Sequence, residues 1–392
     1  MTAIPAVWMR GGTSKGVFLL TRDLPAAARL PGPARDALLL RLLGSPDPFS
    51  TQIDGLGGAT PSTSKAILVE PATQPGCDLA YWFGAVGIDR PLVDWGNNCG
   101  NLTAAVAPFA IRAGLVRAPA EGVATVRMWQ GNTAKVILAH VPMRGGLPQE
   151  EGGFMLDGVA FPSAEIRLEF LDPGADPESG SGPLFPTGQV QDRLEVPGLG
   201  TVAATQLTAG APTVFVRAAD FGLTGRELRA DIDAHDAARS ALVAARRAAA
   251  VRMGLCATPE EADARVPHAP RIVFVAPPAA YTSSSGKQVG QGEVDLLARV
   301  MTLGRLHHAM TGTGAVALAV AAAVPGTVVA EAVPAGPGGR VRFGHPSGTL
   351  AVGADVVQDA QGGWAVSRVA MSRSARRLMA GEAFVPDEPA CA

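Results

Sequence analysis

The sequence predicts a mixed α+β protein made of two similarly built domains. Short apolar strand patterns alternate with a few helical patterns along the whole chain. The 47 glycines and 32 prolines among 392 residues exceed the usual share of these turn formers, which is about 12%. The pattern CGNLTAAV at residues 99–106 resembles TGTGAVAL at residues 311–318, and each opens a small-residue helix. We therefore expect domains at residues 1–160 and 161–392, with a C-terminal segment able to complete the first.

The N-terminal half predicts a hairpin, two helices and several strands. Apolar runs at residues 6–9 and 17–20 flank a Gly-rich turn at residues 10–16, which is typical of a hairpin with a polar tip. Helical spacing covers residues 24–43 and 102–113. The remaining strand patterns in this half lie at residues 66–70, 79–88, 124–129 and 134–141.

The C-terminal half predicts a similar series of strands, helices and loops. Helical patterns cover residues 232–253 and 314–324, and polar loops are expected at residues 172–187 and 281–287. Strand patterns lie at residues 212–216, 271–275, 294–303, 341–343, 350–353 and 364–370.

Composition and charge exclude several classes of protein. Lysine and arginine number 33 against 35 acidic residues, and without a basic block the chain lacks the electrostatic footprint of a nucleic-acid binder. The most apolar stretch, residues 314–324, is shorter than the roughly 20 residues that cross a bilayer. Residues 1–20 lack the apolar run of an export signal, and the four cysteines are widely scattered. We expect a cytoplasmic protein without nucleic-acid or membrane partners.

The two matching helix starts predict a binding site for a polycarboxylate. A helix N-terminus presents unpaired backbone N–H groups and positive dipole, which favour carboxylates and phosphates. Glycine at each start lets a ligand approach the backbone closely. The residues concerned are Asn98, Cys99, Gly100 and Asn101 in the first half and Thr311, Gly312 and Thr313 in the second. The alternative is that both starts are ordinary caps and tight turns.

Two residues are candidates for proton transfer. Cys99 opens a predicted helix, where the dipole would stabilise a thiolate. Lys65 lies between a Ser/Thr loop and an apolar strand, and apolar surroundings favour the neutral amine that can act as a base. An unreactive buried thiol and an exposed surface lysine are the alternatives.

Other motifs indicate no cofactor. The turn at residues 10–16 does not satisfy the phosphate-binding G-x-x-x-x-G-K-[ST] pattern, and no zinc, EF-hand or nucleophile-elbow spacing occurs. We interpret the neighbours His307 and His308 as strand residues pointing to opposite faces, and therefore not as a metal pair. Lys15 and Lys287 are candidate fixed cations for substrate carboxylates.

Several longer motifs resemble one known family. They are MRGGTSKG at residues 9–16, DGLGGA at 54–59, STSK at 62–65, DWGNNCGNL at 94–102, FVAPP at 274–278, SSGK at 284–287, LHHAM at 306–310, FGHPSGTL at 343–350 and MSRSAR at 371–376. In this order they resemble the PrpF family, which contains isomerases and tautomerases of 2-methylaconitate, methylitaconate and 4-oxalomesaconate. The resemblance implies the diaminopimelate epimerase fold, with a β-barrel-like sheet around a central helix in each domain and an active-site cleft between the domains.

The resemblance also implies roles for individual residues. It implies that Lys65 transfers the proton and leaves the role of Cys99 less defined. Thr311 stands where the epimerases have a second cysteine, so inversion by two opposed thiols is not expected. The resemblance implies an enzyme without a cofactor, and it implies a homodimer. We expect the substrate contacts to come from Arg10, Gly12, Thr13, Ser14, Lys15, Ser64, Asn98, Gly100, Asn101, Lys287, Met310, Thr311, Gly312, Thr313, His345 and Ser347.

The predicted reaction is an isomerisation of an unsaturated di- or tricarboxylate by removal and return of a proton. The 2-methylaconitate or aconitate reaction leads, with oxalomesaconate tautomerisation and methylitaconate isomerisation as alternatives. A non-catalytic partner of an iron–sulfur methylcitrate dehydratase and a Cys99 thiol hydrolase are the remaining hypotheses.

Overall fold

The chain divides into two compact units. The computed structural model describes residues 1–96, 98–174, 183–267, 269–302, 304–336, 338–358 and 362–386. Unit 1 comprises Met1–Leu168 and Ser372–Ala392, and unit 2 comprises Glu169–Met371. The predicted loop at residues 172–187 includes residues 175–182, which lie outside the described part of the chain.

The first stretch of unit 1 contains most of its strands and both of its helices. In chain order the elements are β1 (Thr2–Gly11), β2 (Ser14–Leu20), α1 (Pro33–Leu43), β3 (Lys65–Pro71), β4 (Leu79–Val86), β5 (Val93–Asp94), α2 (Thr103–Arg112), β6 (Gly122–Gln130), β7 (Lys135–Arg144), β8 (Leu147–Pro148) and β9 (Ile166–Leu171). The predicted hairpin is present as β1 and β2, which pair antiparallel from Val7 opposite Phe18 to Gly11 opposite Ser14. The predicted start of the first helix is wrong, because Gly32 and Pro33 delay α1 to Pro33.

Helix α2 forms the centre of unit 1. It packs against β1, β3, β7 and β8, and every residue from Thr103 to Ile111 is buried. The run of alanines lets the surrounding strands approach the helix closely. Strand β3 pairs parallel with β2 and antiparallel with β4, which places the first residue of β3 beside the hairpin.

Unit 2 contains the remaining helices. Its elements are β10 (Asp192–Val196), β11 (Gly200–Ala209), β12 (Ala211–Arg217), α3 (Arg229–Asp233), α4 (Asp236–Arg252), α5 (Glu261–Arg265), β13 (Arg271–Ala276), β14 (Tyr281–Thr282), β15 (Gln288–Val289), β16 (Leu296–Thr302), β17 (Arg305–Leu306), α6 (Gly312–Ala323), α7 (Val328–Glu331), β18 (Arg340–His345), β19 (Gly348–Gln358) and β20 (Trp364–Arg373). The single helix predicted over residues 232–253 is wrong, because His235 interrupts it and its side chain caps α4 through the amide of Ala238.

Helix α6 occupies the centre of unit 2, as α2 does in unit 1. It packs against β11, β12, β18 and β19, and all its residues but Ala323 are buried. A second apolar cluster lies where α4 covers the sheet, and it includes Leu242 from the helix and Phe274 from β13.

Strand β21 (Ala375–Val385) returns the chain to unit 1. It pairs antiparallel with the whole of β1, from Thr2 opposite Val385 to Gly11 opposite Ala375, and it also contacts α1 and α2. The sequence patterns did not predict this strand. Among the described residues, no helix is long and apolar enough to cross a membrane.

Candidate functional site

The start of α2 is built from buried polar groups. The carbonyl of Cys99 accepts hydrogen bonds from the amide and hydroxyl of Thr103, both at 3.0 Å. The side-chain oxygen of Asn98 accepts from the hydroxyls of Tyr81 (3.2 Å) and Thr103 (3.3 Å). Burial raises the pKa of Tyr81, which therefore remains a neutral donor. These bonds hold the turn that carries Cys99.

Asn101 joins this turn to the tip of the hairpin. Its amide nitrogen donates to the hydroxyl of Thr13, and its oxygen accepts from Nε of Arg373, both at 3.0 Å. Gly12 has a φ of 51°, and a Cβ added there would lie 2.5 Å from that oxygen. A Cβ on Gly11 would lie 2.7 Å from the Asn101 carbonyl oxygen. The two glycines of the tip are therefore required by the close approach of Asn101.

Lys65 lies beside the same helix start. A Cβ added to Gly16 would lie 2.6 Å from the carbonyl oxygen of Lys65 and 3.1 Å from a methyl group of Leu102. Gly16 therefore lies between the backbone of Lys65 and the side chain of Leu102, the residue that precedes α2. The Lys65 Nζ lies 4.7 Å from the centroid of the Phe83 ring. The ring face attracts an ammonium group, whereas the apolar surroundings expected from the sequence favour the neutral amine.

A network of hydrogen bonds fixes the loop before Lys65. The buried side chain of Gln52 donates to the hydroxyl of Ser64 at 2.7 Å and to that of Ser45 at 2.8 Å. The carbonyl of Ser62 accepts from the amide of Lys15 at 3.0 Å, and that of Ser64 accepts from the amide of Val86 at 3.1 Å. Ser64 therefore lies at the predicted site, but its hydroxyl is bonded within the chain.

Arg10 is held in the same way. Its guanidinium donates to the carbonyl of Gly12, to the carbonyl and hydroxyl of Ser374, and to the hydroxyl of Ser163, at 3.0–3.1 Å. Burial, followed by the nearby charge of Arg376, lowers the pKa of Arg10. These contacts tie the hairpin tip to the turn between β20 and β21, which is a structural role.

The other predicted residues of unit 1 lie around the hairpin tip and the α2 start. Ser14 is buried, and the Nζ of Lys15 lies 5.9 Å from the centroid of the Trp8 ring. Gly100 is buried in the turn before α2. The structure thus brings together within unit 1 all the site residues predicted in the first half of the chain.

In unit 2 the predicted residues surround the start of α6. Thr311 caps the helix, since its hydroxyl accepts from the amide of Gly314 at 3.1 Å. Gly312 is the first helical residue, and Met310 before it is 2% exposed. The hydroxyl of Thr313 is buried and has no hydrogen-bond partner among the described residues. A buried hydroxyl without a partner is costly, which makes this atom an exception among the polar groups at the start of α6.

Two loops approach this helix start. The hydroxyl of Ser347 donates to the carbonyl of His308, and its amide donates to Nδ1 of His345 at 3.2 Å. Ser284 bonds the same loop through the carbonyl of Pro346 at 2.7 Å. Lys287 closes the turn between β14 and β15, where its carbonyl accepts from the amide of Ser283. His345, Ser347 and Lys287 are therefore connected by one set of loop contacts.

The expectation that the neighbouring histidines point to opposite faces of a strand is wrong. His307 and His308 follow β17 rather than lying in a strand, and their rings stack with centroids 4.6 Å apart. Burial and the charge of Arg229 lower the pKa of His308, which favours the neutral ring. Within the described ranges, no three His, Cys, Asp or Glu side chains are grouped to hold a metal ion.

Sequence reasoning missed two residues of the unit 1 site. Arg373 lies in the MSRSAR motif, but nothing in the motif indicated its bond to Asn101. Gln52 lies in a loop and has no motif to mark it. Cys77, Cys99 and Cys256 are free thiols, and Cys391 lies outside the described residues.

Comparisons with known proteins agree on one family. The profile of the family described as "PrpF protein" matches residues 1–386. A protein of Shewanella oneidensis named 2-methyl-aconitate isomerase is 55% identical over 98% of this chain and 97% of its own length. A protein of Cupriavidus necator with the same name is 53% identical over 98% of both chains.

Solved structures show the fold. The crystal structure of methylitaconate-delta-isomerase superposes with a TM-score of 0.79 at 36% identity, covering 98% of this chain and 96% of the other. A hydroxyproline epimerase of Agrobacterium vitis superposes with a TM-score of 0.58 at 14% identity, covering 99% and 94%. The chain therefore has the diaminopimelate epimerase-like fold and belongs to the PrpF family.

Proposed function

We propose that this chain is an isomerase that moves or rotates the double bond of an unsaturated di- or tricarboxylate, with 2-methylaconitate as the leading substrate. The leading substrate follows from the two relatives named 2-methyl-aconitate isomerase, which are more than half identical over nearly the full length. Methylitaconate is the second candidate, supported by the superposition on methylitaconate-delta-isomerase.

One observation carries the proposal. Gly16 lies against both the backbone of Lys65 and the side chain of Leu102, the residue before α2, and this closeness supports a site that the Lys65 amine and the helix N-terminus share. A helix N-terminus favours a carboxylate or an enolate oxygen, and the amine is suited to proton transfer at carbon. Leu102, the residue before α2, makes no side-chain cap hydrogen bond to the helix.

The proposed reaction has two proton transfers. The neutral amine of Lys65 takes a proton from a carbon conjugated with a carboxylate, and the C–H electron pair enters the conjugated system to form a dienolate. The amides at the α2 start, from Gly100 to Leu102, stabilise the added negative charge. The ammonium of Lys65 then returns a proton to the original or the allylic carbon, which gives the isomer. The face of the Phe83 ring stabilises the ammonium between these steps.

Proton NMR in D₂O tests the function directly. The pure protein is incubated separately with 2-methylaconitate, aconitate, methylitaconate and oxalomesaconate. We expect deuterium to enter the carbon that loses its proton and a new isomer to appear with at least one acid. Binding of these acids without exchange or isomerisation would favour the non-catalytic accessory role instead.

Lys65→Met tests the proposed base. We expect kcat to fall by at least about 10³-fold, because general acid–base catalysis contributes roughly 10²–10⁴-fold. Lys135→Met is the matched control, since Lys135 is the first residue of β7 and is not one of the proposed site residues. Activity of Lys65→Met within tenfold of the unmodified chain would exclude Lys65 as the base. Loss of activity in Cys99→Ser alone would indicate thiol chemistry.

A further inference from the structure

Arg373 is a buried cation whose bonds within the chain are to neutral groups. Its side chain is 1% exposed. Nε donates to the side-chain oxygen of Asn101 at 3.0 Å, and Nη1 donates to the carbonyl of Ser372 at 2.9 Å. Both acceptors are uncharged.

The charge of Arg373 has no carboxylate partner among the described residues. Burial lowers the pKa of Arg373 to about 10, and the nearby Cys99 acts in the opposite direction. A guanidinium with a pKa of about 10 remains a cation at neutral pH. Burying such a charge is costly unless an anion compensates it.

One nitrogen of Arg373 has no partner in the described part of the chain. The bonds of the guanidinium use Nε and Nη1, and Nη2 donates no hydrogen bond to a described residue. Arg373 is also bonded to Asn101, which lies just before Leu102, the N-cap residue of the ten-residue helix α2, and Leu102 makes no side-chain cap hydrogen bond. The unpaired guanidinium nitrogen and the helix terminus both favour an anion in the same region.

We propose that Arg373 binds a carboxylate of the substrate, with Nη2 as a donor and Asn101 holding the guanidinium in place. This assignment rests on the proposed function for its substrate class, an unsaturated polycarboxylate. It adds a specificity-determining residue, since an acid lacking that carboxylate would leave the buried cation uncompensated.

Calorimetric binding of propane-1,2,3-tricarboxylate tests the inference without turnover, because this saturated acid has no double bond to move. We expect Arg373→Met to weaken its binding by about 10- to 100-fold, the loss of one charge-assisted hydrogen-bonding group. Arg373→Lys keeps the charge but not the planar guanidinium, so its affinity for the tricarboxylate should lie between those of the unmodified chain and Arg373→Met. Arg377→Met is the control, because Arg377 is exposed on β21 and should change binding by less than twofold.

The enzymatic readout separates a binding role from a structural one. With the preferred acid, we expect Arg373→Met to raise KM and the inhibition constant of the tricarboxylate in parallel, while a structural defect would lower kcat and the melting temperature without that parallel rise. Folded Arg373→Met that binds the tricarboxylate within threefold of the unmodified chain overturns the inference. So does an unmodified chain that fails to bind it at millimolar concentration.

Two further results keep the test decisive. If both variants fail to fold, a crystal of the unmodified chain with the tricarboxylate supports the inference when a carboxylate oxygen lies within 3.2 Å of Arg373 Nη2, a hydrogen-bond distance, and overturns it otherwise. If the unmodified chain binds the tricarboxylate but isomerises none of the four acids, the proposed function fails. The binding data then still decide the role of Arg373.

Discussion

At the scale of single residues, the hairpin tip shows why a short motif contains so many glycines. Gly11, Gly12 and Gly16 each lie where a Cβ would come closer than 3 Å to an atom of Asn101 or Lys65. The motif therefore encodes close backbone approach, and its polar members fill separate roles. Arg10 donates to the carbonyl of Ser374, whereas Thr13 accepts from the side chain of Asn101.

Gln52 shows how a residue outside every motif can position a candidate catalytic one. Its φ is 50°, its side chain is 2% exposed, and its oxygen accepts from the amide of Ala59 at 2.9 Å. A Cβ on Gly57 would lie 2.3 Å from this side chain. The glycine-rich segment at residues 54–59 thus packs around Gln52, which in turn holds Ser64 next to Lys65.

Gln52→Met tests this positioning role. Methionine has a similar length but removes three hydrogen bonds of the buried Gln52 side chain, so we expect the free energy of unfolding to fall by about 2–3 kcal/mol. We also expect kcat to fall by about tenfold in the folded protein, because Ser64 and then Lys65 lose their fixed position. Urea unfolding and initial rates at a temperature where the variant is folded measure the two effects.

The control for Gln52 is Gln149→Met, which removes a single exposed hydrogen bond to the carbonyl of Glu151. It should change stability by less than about 0.5 kcal/mol. If Gln52→Met lowered stability but left kcat unchanged, Gln52 would support the fold without positioning Lys65.

At the scale of elements, the two central helices begin differently. Thr311 caps α6 with its side chain, whereas α2 has no side-chain cap. Each helix is nearly wholly buried by strands of its own unit, so small residues are required along both. The two helices therefore differ in how they begin and not in how they pack, and the α2 start is the one to which our proposal assigns an anion.

A second element-scale feature joins β16 to β18. These strands pair parallel, and Asp295, just before β16, accepts from the amide and the guanidinium of Arg342 at 2.7 Å each. The hydrogen bond from the Arg342 side chain is the main cause that holds the pKa of Asp295 below its ordinary value. The pair therefore fastens the ends of two strands through one carboxylate.

Asp295→Asn tests this contact through its pH dependence. The folded-state pKa lies below the unfolded one, so the ionised carboxylate stabilises the fold above the unfolded pKa of about 3.9, and this stabilisation is lost as pH falls through the folded pKa. We expect the variant to be less stable by about 1 kcal/mol at pH 7 and indistinguishable near pH 2. Urea unfolding at several pH values measures the difference.

Asp54→Asn provides the comparison, since Asp54 is 81% exposed and bonded to Arg41 at the surface. Its effect at pH 7 should stay below about 0.5 kcal/mol. A difference between Asp295→Asn and the unmodified chain that persisted unchanged at pH 2 would show that the carboxylate charge is not its cause.

At the scale of the whole molecule, local patterns predicted the two central helices and the first hairpin because their signals lie within a few residues. The strand β21 was not predictable in this way. Most of its residues are exposed, and only Ala375, Ala383 and Val385 are buried, so it lacks the alternation that marks a strand. Its place is set by pairing with β1 at the opposite end of the chain.

In the candidate site, too, local motifs were predictable from the sequence and contacts between distant residues were not. Glycine-rich turns and helix starts were visible in the sequence and identified Lys65 and the segment around Cys99. The bond between Arg373 and Asn101 joins residues far apart in the chain, and no period or motif encodes it. The contact of Gln52 with Ser64 depends on a loop with positive φ at Gln52, which no pattern at that position indicates.

The pairing of β21 with β1 makes unit 1 dependent on the last part of the chain, whereas unit 2 is one continuous stretch. In a chain that ends at Ser374, all ten residues of β1 lose their pairing with β21, and the contacts of β21 with α1 and α2 are lost as well. We expect unit 1 to lose most of its amide protection and unit 2 to keep its own, because unpaired strand edges and an uncovered apolar face are costly. Hydrogen exchange measured by mass spectrometry reports both units in one sample.

Two controls separate loss of β21 from a general effect of shortening. A chain that ends at Pro386 keeps all of β21 and should match the full chain in unit 1. A synthetic peptide of residues 375–386 added to the shorter chain should restore part of the protection of β1. Full protection of β1 in the chain that ends at Ser374 would mean that β21 covers unit 1 without holding it together.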